Sequence, residues 1–258
     1  VPEAVPALAA DLAVEGLGTD PEDPAHHAVG DTDEDRARFV LALDAVNFGS
    51  GWFPVLAKAP GRSGYHTIAG ALRDRGGVDL AEMRSATGPW CAEVFRQDPE
   101  GPVADLMDLF AASWSRLGEV IEGFGSTLDL VAAAGHSADR LVELLAWEHR
   151  MYRDVSPHGG ERVPLFKRAQ ITAVDLSLAF GGEGPGRFDD LDRLTMFADN
   201  LVPHVLRLAG VLAHDDALLT RIEAEELLEH DSIEEVESRA VAVHAVEQVV
   251  ATLHDVGL

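Results

Sequence analysis

Apolar side chains return every three to four residues along most of this chain, and almost nowhere every second residue. Phe39, Leu41, Leu43 and Val46 form one such series; Val103, Leu106, Leu109, Phe110, Trp114, Leu117 and Ile121 form a longer one. That period keeps one face of a helix apolar, so the chain is expected to fold from helices packed on helices. Helices are predicted at about 5–16, 33–47, 64–75, 79–86, 101–123, 126–134, 137–149, 164–181, 190–198, 201–213, 215–229 and 233–254. Ser126, Ser137, Asp215 and Ser232 mark starts, because their side-chain oxygens accept from free first-turn amides; Gly125, Gly135, Gly181 and Gly257 mark stops. Apolar residues make up 47% of 258 positions, enough to fill a large core, and the expected fold class is all-α: one globular multi-helix domain over 1–258. Seven acids with Pro21, Pro24 and Gly30 between Asp20 and Asp35 predict a solvated acidic loop at about 17–35.

Charge narrows the function classes. There are 45 acidic against 20 basic residues, a formal net charge of -25, and the only lysines are Lys58 and Lys167. Such a surface repels nucleic-acid phosphates and anionic lipid, and no basic run offsets it, so direct binding of tRNA or DNA is not expected. Cys91 is the single cysteine, which excludes an intrachain disulfide and a thiolate metal cage. No apolar run approaches the ~20 residues of a membrane span and no export signal is evident, so a soluble, cytoplasmic protein is expected. The histidines, His26-His27, His214, His230 and His244 among them, show no ligand spacing, and no metal or organic cofactor is expected. GxGxxG after a strand, GxxxxGK[ST] and GxSxG are all missing.

Three segments carry residues with chemical possibilities. On the predicted helix 164–181, Lys167, Ile171, Asp175 and Leu178 fall on nearly one stripe, so a lysine and an aspartate share an otherwise apolar face. That pattern reads either as a site or as a buried ion pair, or as a stripe edge from which the lysine reaches water. Asp199 precedes Asn200-Leu201-Val202-Pro203, a helix start marked by proline, where backbone N–H groups favour an ionised carboxylate. It reads either as a functional acid or as a cap, with Asn200 competing for the second duty and Phe197 as core or pocket wall. Asn47-Phe48-Gly49-Ser50-Gly51-Trp52-Phe53-Pro54 sets glycines among flat rings, suited to stacking a heterocycle or to closing a helix over an aromatic corner. His66 either touches an anion or begins the next helix.

Taken together, Asn47-Phe48-Gly49-Ser50-Gly51, Phe166-Lys167-Arg168-Ala169-Gln170, and Leu194-Thr195-Met196-Phe197-Ala198-Asp199 followed by Val202-Pro203 resemble the queuosine 5'-phosphate N-glycosylase/hydrolase family, in order and in interval. The resemblance runs from about Phe39 to the C-terminal helix. It implies an all-helical fold related in architecture to helical DNA glycosylases, and cleavage of queuosine 5'-monophosphate to queuine and ribose 5-phosphate without a cofactor. It also implies Asp199 as the catalytic carboxylate and Lys167 and His66 near the phosphoribosyl part. Asn47, Phe48, Trp52, Phe197 and Arg168 become pocket residues, with Asp175 a contact to the base.

The chemistry suits these residues. N-glycoside cleavage builds positive charge at C1' and the ring oxygen, which a fixed carboxylate stabilises. Asp199 would do so as electrostatic stabiliser, base for the attacking water, or nucleophile; these three remain open. The rival in another class is a non-catalytic helical binding protein for a nucleobase or nucleotide. A DNA base glycosylase would need a basic surface that a net charge of -25 does not supply.

Overall fold

Ser126, Ser137 and Asp215 accept from the amides of Asp129, Arg140 and Leu218 at 3.0, 3.2 and 2.8 Å, so the local signals that were expected to start helices do start them. A computed structural model describes residues 2–15 and 28–255. Among these, the helices are α1 Val5–Glu15, α2 Asp33–Ala45, α3 Gly64–Arg75, α4 Leu80–Arg84, α5 Gly88–Val94, α6 Ala104–Phe124, α7 Thr127–Ala132, α8 Ala138–Glu148, α9 Lys167–Ala179, α10 Leu201–Leu208, α11 Asp216–Glu223 and α12 Ile233–Asp255. The expected all-α class holds, with two short strands added, β1 Val155–His158 and β2 Glu161–Pro164. They pair antiparallel, Val155 opposite Pro164 and His158 opposite Glu161, around Gly159-Gly160. Both glycines have positive φ, 59° and 88°, as a two-residue hairpin turn demands.

The described residues pack as two units interleaved along the chain. A central unit lies within Glu22–Arg153 and Arg168–Leu194; a terminal unit lies within Val1–Pro21, Asp154–Lys167 and Thr195–Leu258.

In the central unit, α6 is the buried axis. Its apolar period puts Leu106, Met107, Phe110, Trp114, Leu117 and Ile121 inside, and α2, α4 and α5 pack on it, with Phe39, Met83 and Phe95 buried as well. Rings meet edge to face: Phe95 and Phe110 lie 5.4 Å apart, Trp90 and Trp114 5.7 Å. Each large side chain so buried contributes roughly 1.5–3 kcal/mol of transfer free energy. Two bonds register α6 on the last turn of α2, whose carbonyls lack helical partners: Trp114 Nε1 donates to Ala42 O at 2.8 Å and Ser113 Oγ to Ala45 O at 2.6 Å.

In the terminal unit, α1 and α10 lie on α12 over a core of Val5, Ala9, Leu206, Val211, Leu212, Ala242, Ala245, Val249 and Leu253. The β1–β2 hairpin also packs on α12.

Three expectations change. The acidic loop does not reach Asp35. Residues 17–27 of it fall outside those described, but Thr32 caps α2, and Asp33, Glu34 and Asp35 form its first turn, where negative charge favours the helix dipole. Glu34 also accepts from the first amides of α7, Thr127 N at 2.9 Å and Leu128 N at 3.0 Å. The helix predicted at 190–198 is a short 3-10 turn, Leu191–Arg193, followed by a run to Asp199 that is neither helix nor strand. Conversely, α5 was not foreseen, although Thr87 caps it and Pro89 sits in its first turn.

Candidate active site

Lys167 and Asp199 come together. Lys167 Nζ stands 4.0 Å from Asp199 Oδ2, both side chains about a quarter exposed, at 22% and 27%. The other carboxylate oxygen is held by α10: Asp199 Oδ1 accepts from Leu201 N at 2.8 Å and Val202 N at 3.1 Å. Capping therefore falls to Asp199, and Asn200, at the cap position, makes no side-chain bond of that kind. Capping and a second role do not compete for the same atom, since Oδ1 serves the helix and Oδ2 faces the ammonium.

Both residues are fixed by their backbones. Lys167 opens α9 behind a tight wrap around Asp154. Asp154 O accepts from Leu165 N at 2.9 Å and Phe166 N at 3.2 Å, and its carboxylate accepts from Lys167 N at 3.1 Å. Phe166 adopts φ 48° to let three successive amides converge, a conformation non-glycine residues rarely take. The stretch before Asp199 is held by Arg239 of α12. This buried guanidinium donates from Nε to Ala198 O at 2.8 Å, from Nη2 to Asp154 Oδ2 at 2.5 Å and from Nη1 to Glu235 Oε1 at 2.8 Å. Burial alone would lower its pKa; the charges of Asp154 and Glu235 outweigh that and raise it above the ordinary value.

Phe197 is half-buried in the same irregular run. Arg239 and Asp154 were not singled out by the sequence. The available signal was an arginine interrupting the apolar stripe Val236, Ala242, Ala245, Val249 of α12, a position where a charge needs a buried partner.

The other sequence candidates lie in the central unit. Arg168 donates to Ala45 O at 2.9 Å and, by a very short contact, to Met151 O; its guanidinium stacks 4.6 Å from the Phe48 ring centroid and 5.1 Å from that of Tyr152. A cation on the last carbonyl of α2 opposes the helix dipole and fastens α9 to α2. Phe48 also meets Phe110 edge-on at 5.1 Å. Gly49 has φ 87°, a conformation side chains rarely adopt, and a Cβ there would fall 2.4 Å from Leu106 Cδ1 of α6, so a substitution would strain the bend and push that side chain aside. Asn47 and Trp52 are half-buried in the same bend, with Asn47 N bonded to Asp44 O and Trp52 N to Gly49 O. His66 lies in the first turn of α3, its Nδ1 2.9 Å from Ser63 Oγ, the atom that also accepts from His66 N at 3.1 Å.

Asp175 lies further along α9. Burial pushes its carboxyl up to about 6, against a hydrogen bond with Asp44 that pulls it down. A hydrogen bond between two carboxyls requires a proton on one of them, so the pair holds a proton where isolated acids would not. Asp44, fully buried in α2, was not singled out by the sequence.

Two surface clefts of about 240 and 410 Å³ lie in the central unit, beside Trp90 and beside Gly76-Gly77. Their basic groups are already matched, Arg75 with Glu82 and Arg96 with Asp74, and neither cleft includes Lys167 or Asp199. Among the described residues, no helix is long and apolar enough to cross a membrane.

Residues 26–257 match the family described as queuosine salvage protein. The queuosine 5'-phosphate N-glycosylase/hydrolase of Sphaerobacter thermophilus is 37% identical over 226 residues, 84% of this chain and 69% of the relative. The protein of that name from Bos taurus is 30% identical over 231 residues, again 84% of this chain and 67% of its own. The one from Mus musculus is 34% identical over 159 residues, 61% of this chain, which spans 47% of the mouse protein.

Proposed function

Because the chain belongs to the queuosine salvage protein family, we propose that it hydrolyses the N-glycosidic bond of queuosine 5'-monophosphate, releasing queuine and ribose 5-phosphate. The observation that supports this most is the division of labour at Asp199. One oxygen is immobilised by two helix amides, and the other is presented beside the ammonium of Lys167 at 4.0 Å.

The reaction follows from that arrangement. As the C1'–N bond lengthens, its electron pair leaves with the base and the ribosyl ring acquires oxocarbenium character. Asp199 Oδ2 supplies the negative charge that this cation needs, and a carboxylate already fixed by its other oxygen undergoes little reorganisation. Water adds to C1' and loses a proton, and the departing base gains one. Position 7 of a 7-deazapurine is carbon and is not protonated as N7 of a purine is, so the proton goes to another atom of the base. Lys167 is a compact cation suited to the 5'-phosphate. With the phosphate bound it sits between two negative groups, and on the free protein it neutralises Asp199.

The substrate is a mononucleotide and not intact tRNA, in keeping with the net charge of -25. Incubation with queuosine 5'-monophosphate and detection of free queuine tests the reading. Wild-type protein should release queuine, and Asp199→Asn should nearly abolish release while keeping its fold. Retention of most turnover by Asp199→Asn removes that residue from the chemistry. Binding without release by the wild type leaves a protein that only captures the nucleotide.

A further inference from the structure

The interactions around Lys167 and Asp199 close into a ring within the terminal unit. Starting from Arg239, Nε donates to Ala198 O, whose next residue is Asp199; Asp199 Oδ2 faces Lys167 Nζ; Lys167 N donates to Asp154 Oδ2, and Asp154 Oδ2 accepts from Arg239 Nη2. One planar side chain thus holds the Ala198 carbonyl on one side and, through the Asp154 carboxylate, the Lys167 amide on the other, while its third edge is held by Glu235 of its own helix. We infer that Arg239 is a positioning residue, which sets the separation of Lys167 and Asp199 through Ala198 and Asp154. The inference rests on the reading of Asp199 as the catalytic carboxylate.

Three observations argue for position over mere adhesion. First, the run 194–199 forms neither helix nor strand and has no ladder to fix it, so the Ala198 carbonyl needs a partner from elsewhere, and Arg239 supplies it. Second, Asp154 Oδ2 accepts from both Arg239 and the Lys167 amide, so a shift of the guanidinium is transmitted to the first residue of α9 without passing through solvent. Third, arginine is needed here and lysine does not suffice. Three acceptors lie around the plane of one fork, and a single ammonium reaches them only in turn. Burial of Arg239 among Val236 and Ala242 makes each lost bond costly, because no water replaces it.

Arg239→Lys keeps the charge between Asp154 and Glu235 but releases Ala198. A displacement of about 1 Å at a reacting group costs on the order of 10²-fold. The expected result is a protein with a lowered thermal midpoint that is still folded at the assay temperature, with kcat for queuosine 5'-monophosphate per folded molecule lowered by about 10²-fold and KM within about threefold of wild type. A folded Arg239→Lys with wild-type kcat overturns the proposal, as does a loss confined to KM or to the folded fraction. Should that variant not fold, Asp154→Ala serves instead. It cuts the link to the Lys167 amide but leaves the bonds of Leu165 N and Phe166 N to the Asp154 carbonyl, and it should lower kcat about tenfold; an unchanged kcat overturns the proposal. Asp199→Asn, assayed beside them, separates the two readings. If it is inactive while Arg239→Lys is fully active, only the positioning role falls. If Asp199→Asn is itself active, the catalytic reading falls first.

Discussion

Lys167 is the residue whose two duties conflict most plainly. It lies 4.0 Å from the carboxylate of Asp199, yet the proposed reaction assigns it the substrate's phosphate. Replacing it with methionine keeps the stem and removes the charge, so the nucleotide and the free nucleoside should respond differently. A charge-assisted hydrogen bond is worth about 1.5–3 kcal/mol, so Lys167→Met should lower kcat/KM for queuosine 5'-monophosphate by roughly 10- to 100-fold and leave queuosine within a few-fold. Equal losses for both substrates would make Lys167 a partner of Asp199 only. Sequence alone made Lys167 and Asp199 legible for opposite reasons: the first is a rare lysine on an apolar face, the second an acid before a proline-marked helix start. Arg239 and Asp154 escaped because their partners lie 41 and 85 residues apart from Arg239 along the chain. Helical periodicity reports faces, and contains nothing about which distant carbonyl a buried guanidinium will meet.

At the scale of elements, the start of α10 joins fold and chemistry, and the two can be separated by choice of side chain. Asp199→Asn retains a carbonyl oxygen for Leu201 N and Val202 N, whereas Asp199→Ala removes the cap entirely. The alanine variant should lose about 1 kcal/mol of stability, a fall of about 2–4 °C in Tm for a chain of this size, and the asparagine variant should lose little. Equal Tm values for the two, measured by thermal unfolding, would show that the cap carries no weight. The same segment shows why some elements could not be foreseen. Leu194, Phe197 and Ala198 fall at the i, i+3, i+4 spacing of a helix face, but the run forms neither helix nor strand and one of its carbonyls is satisfied by Arg239. Propensity and period lose to a tertiary bond in such a case. The β1–β2 hairpin was missed because four-residue strands are too short for alternation to register, although Gly159-Gly160 is a recognised two-residue turn. Where the signal is local, as at Ser126, Ser137 and the whole of α3, sequence and structure agree.

For the whole molecule, acidity and charge decide the conditions under which it survives and the company it keeps. His149 is buried against Tyr152 with Nε2 2.9 Å from Ser113 O, and burial, with nearby Arg168, lowers its pKa from 6.5 to about 4. A histidine whose folded pKa is depressed stabilises the fold fully above 6.5 and loses that contribution as pH falls towards 4, because the unfolded chain takes up the proton first. The full effect is on the order of 3 kcal/mol. Asp175, raised to about 6, acts in the opposite sense, favouring the fold at low pH and losing that contribution as pH rises through 6. Comparing wild type with His149→Gln cancels the Asp175 effect. The difference between them in denaturant unfolding should shrink from pH 7 to pH 4, and a difference independent of pH would place the origin elsewhere.

Net charge leads to the last expectation. A molecule at -25 meets a polyanion with repulsion at long range, and counterion release, the usual source of nucleic-acid affinity, requires lysines and arginines free to neutralise phosphates. Here many arginines are already committed to carboxylates, including Arg38 to Asp35, Arg84 to Glu119 and Glu122, Arg116 to Glu119 and Arg221 to Glu226 and Glu234. A mononucleotide avoids the difficulty, since it brings one phosphate, which a single cation such as Lys167 can meet. The chain should therefore show no measurable binding to tRNA or duplex DNA by fluorescence anisotropy, even at about 50 mM salt and protein concentrations on the order of 10 µM, where basic nucleic-acid-binding proteins associate without sequence preference. Affinity that falls linearly with the logarithm of salt concentration would instead reveal a basic face that the overall charge conceals, and would reopen intact tRNA as a substrate.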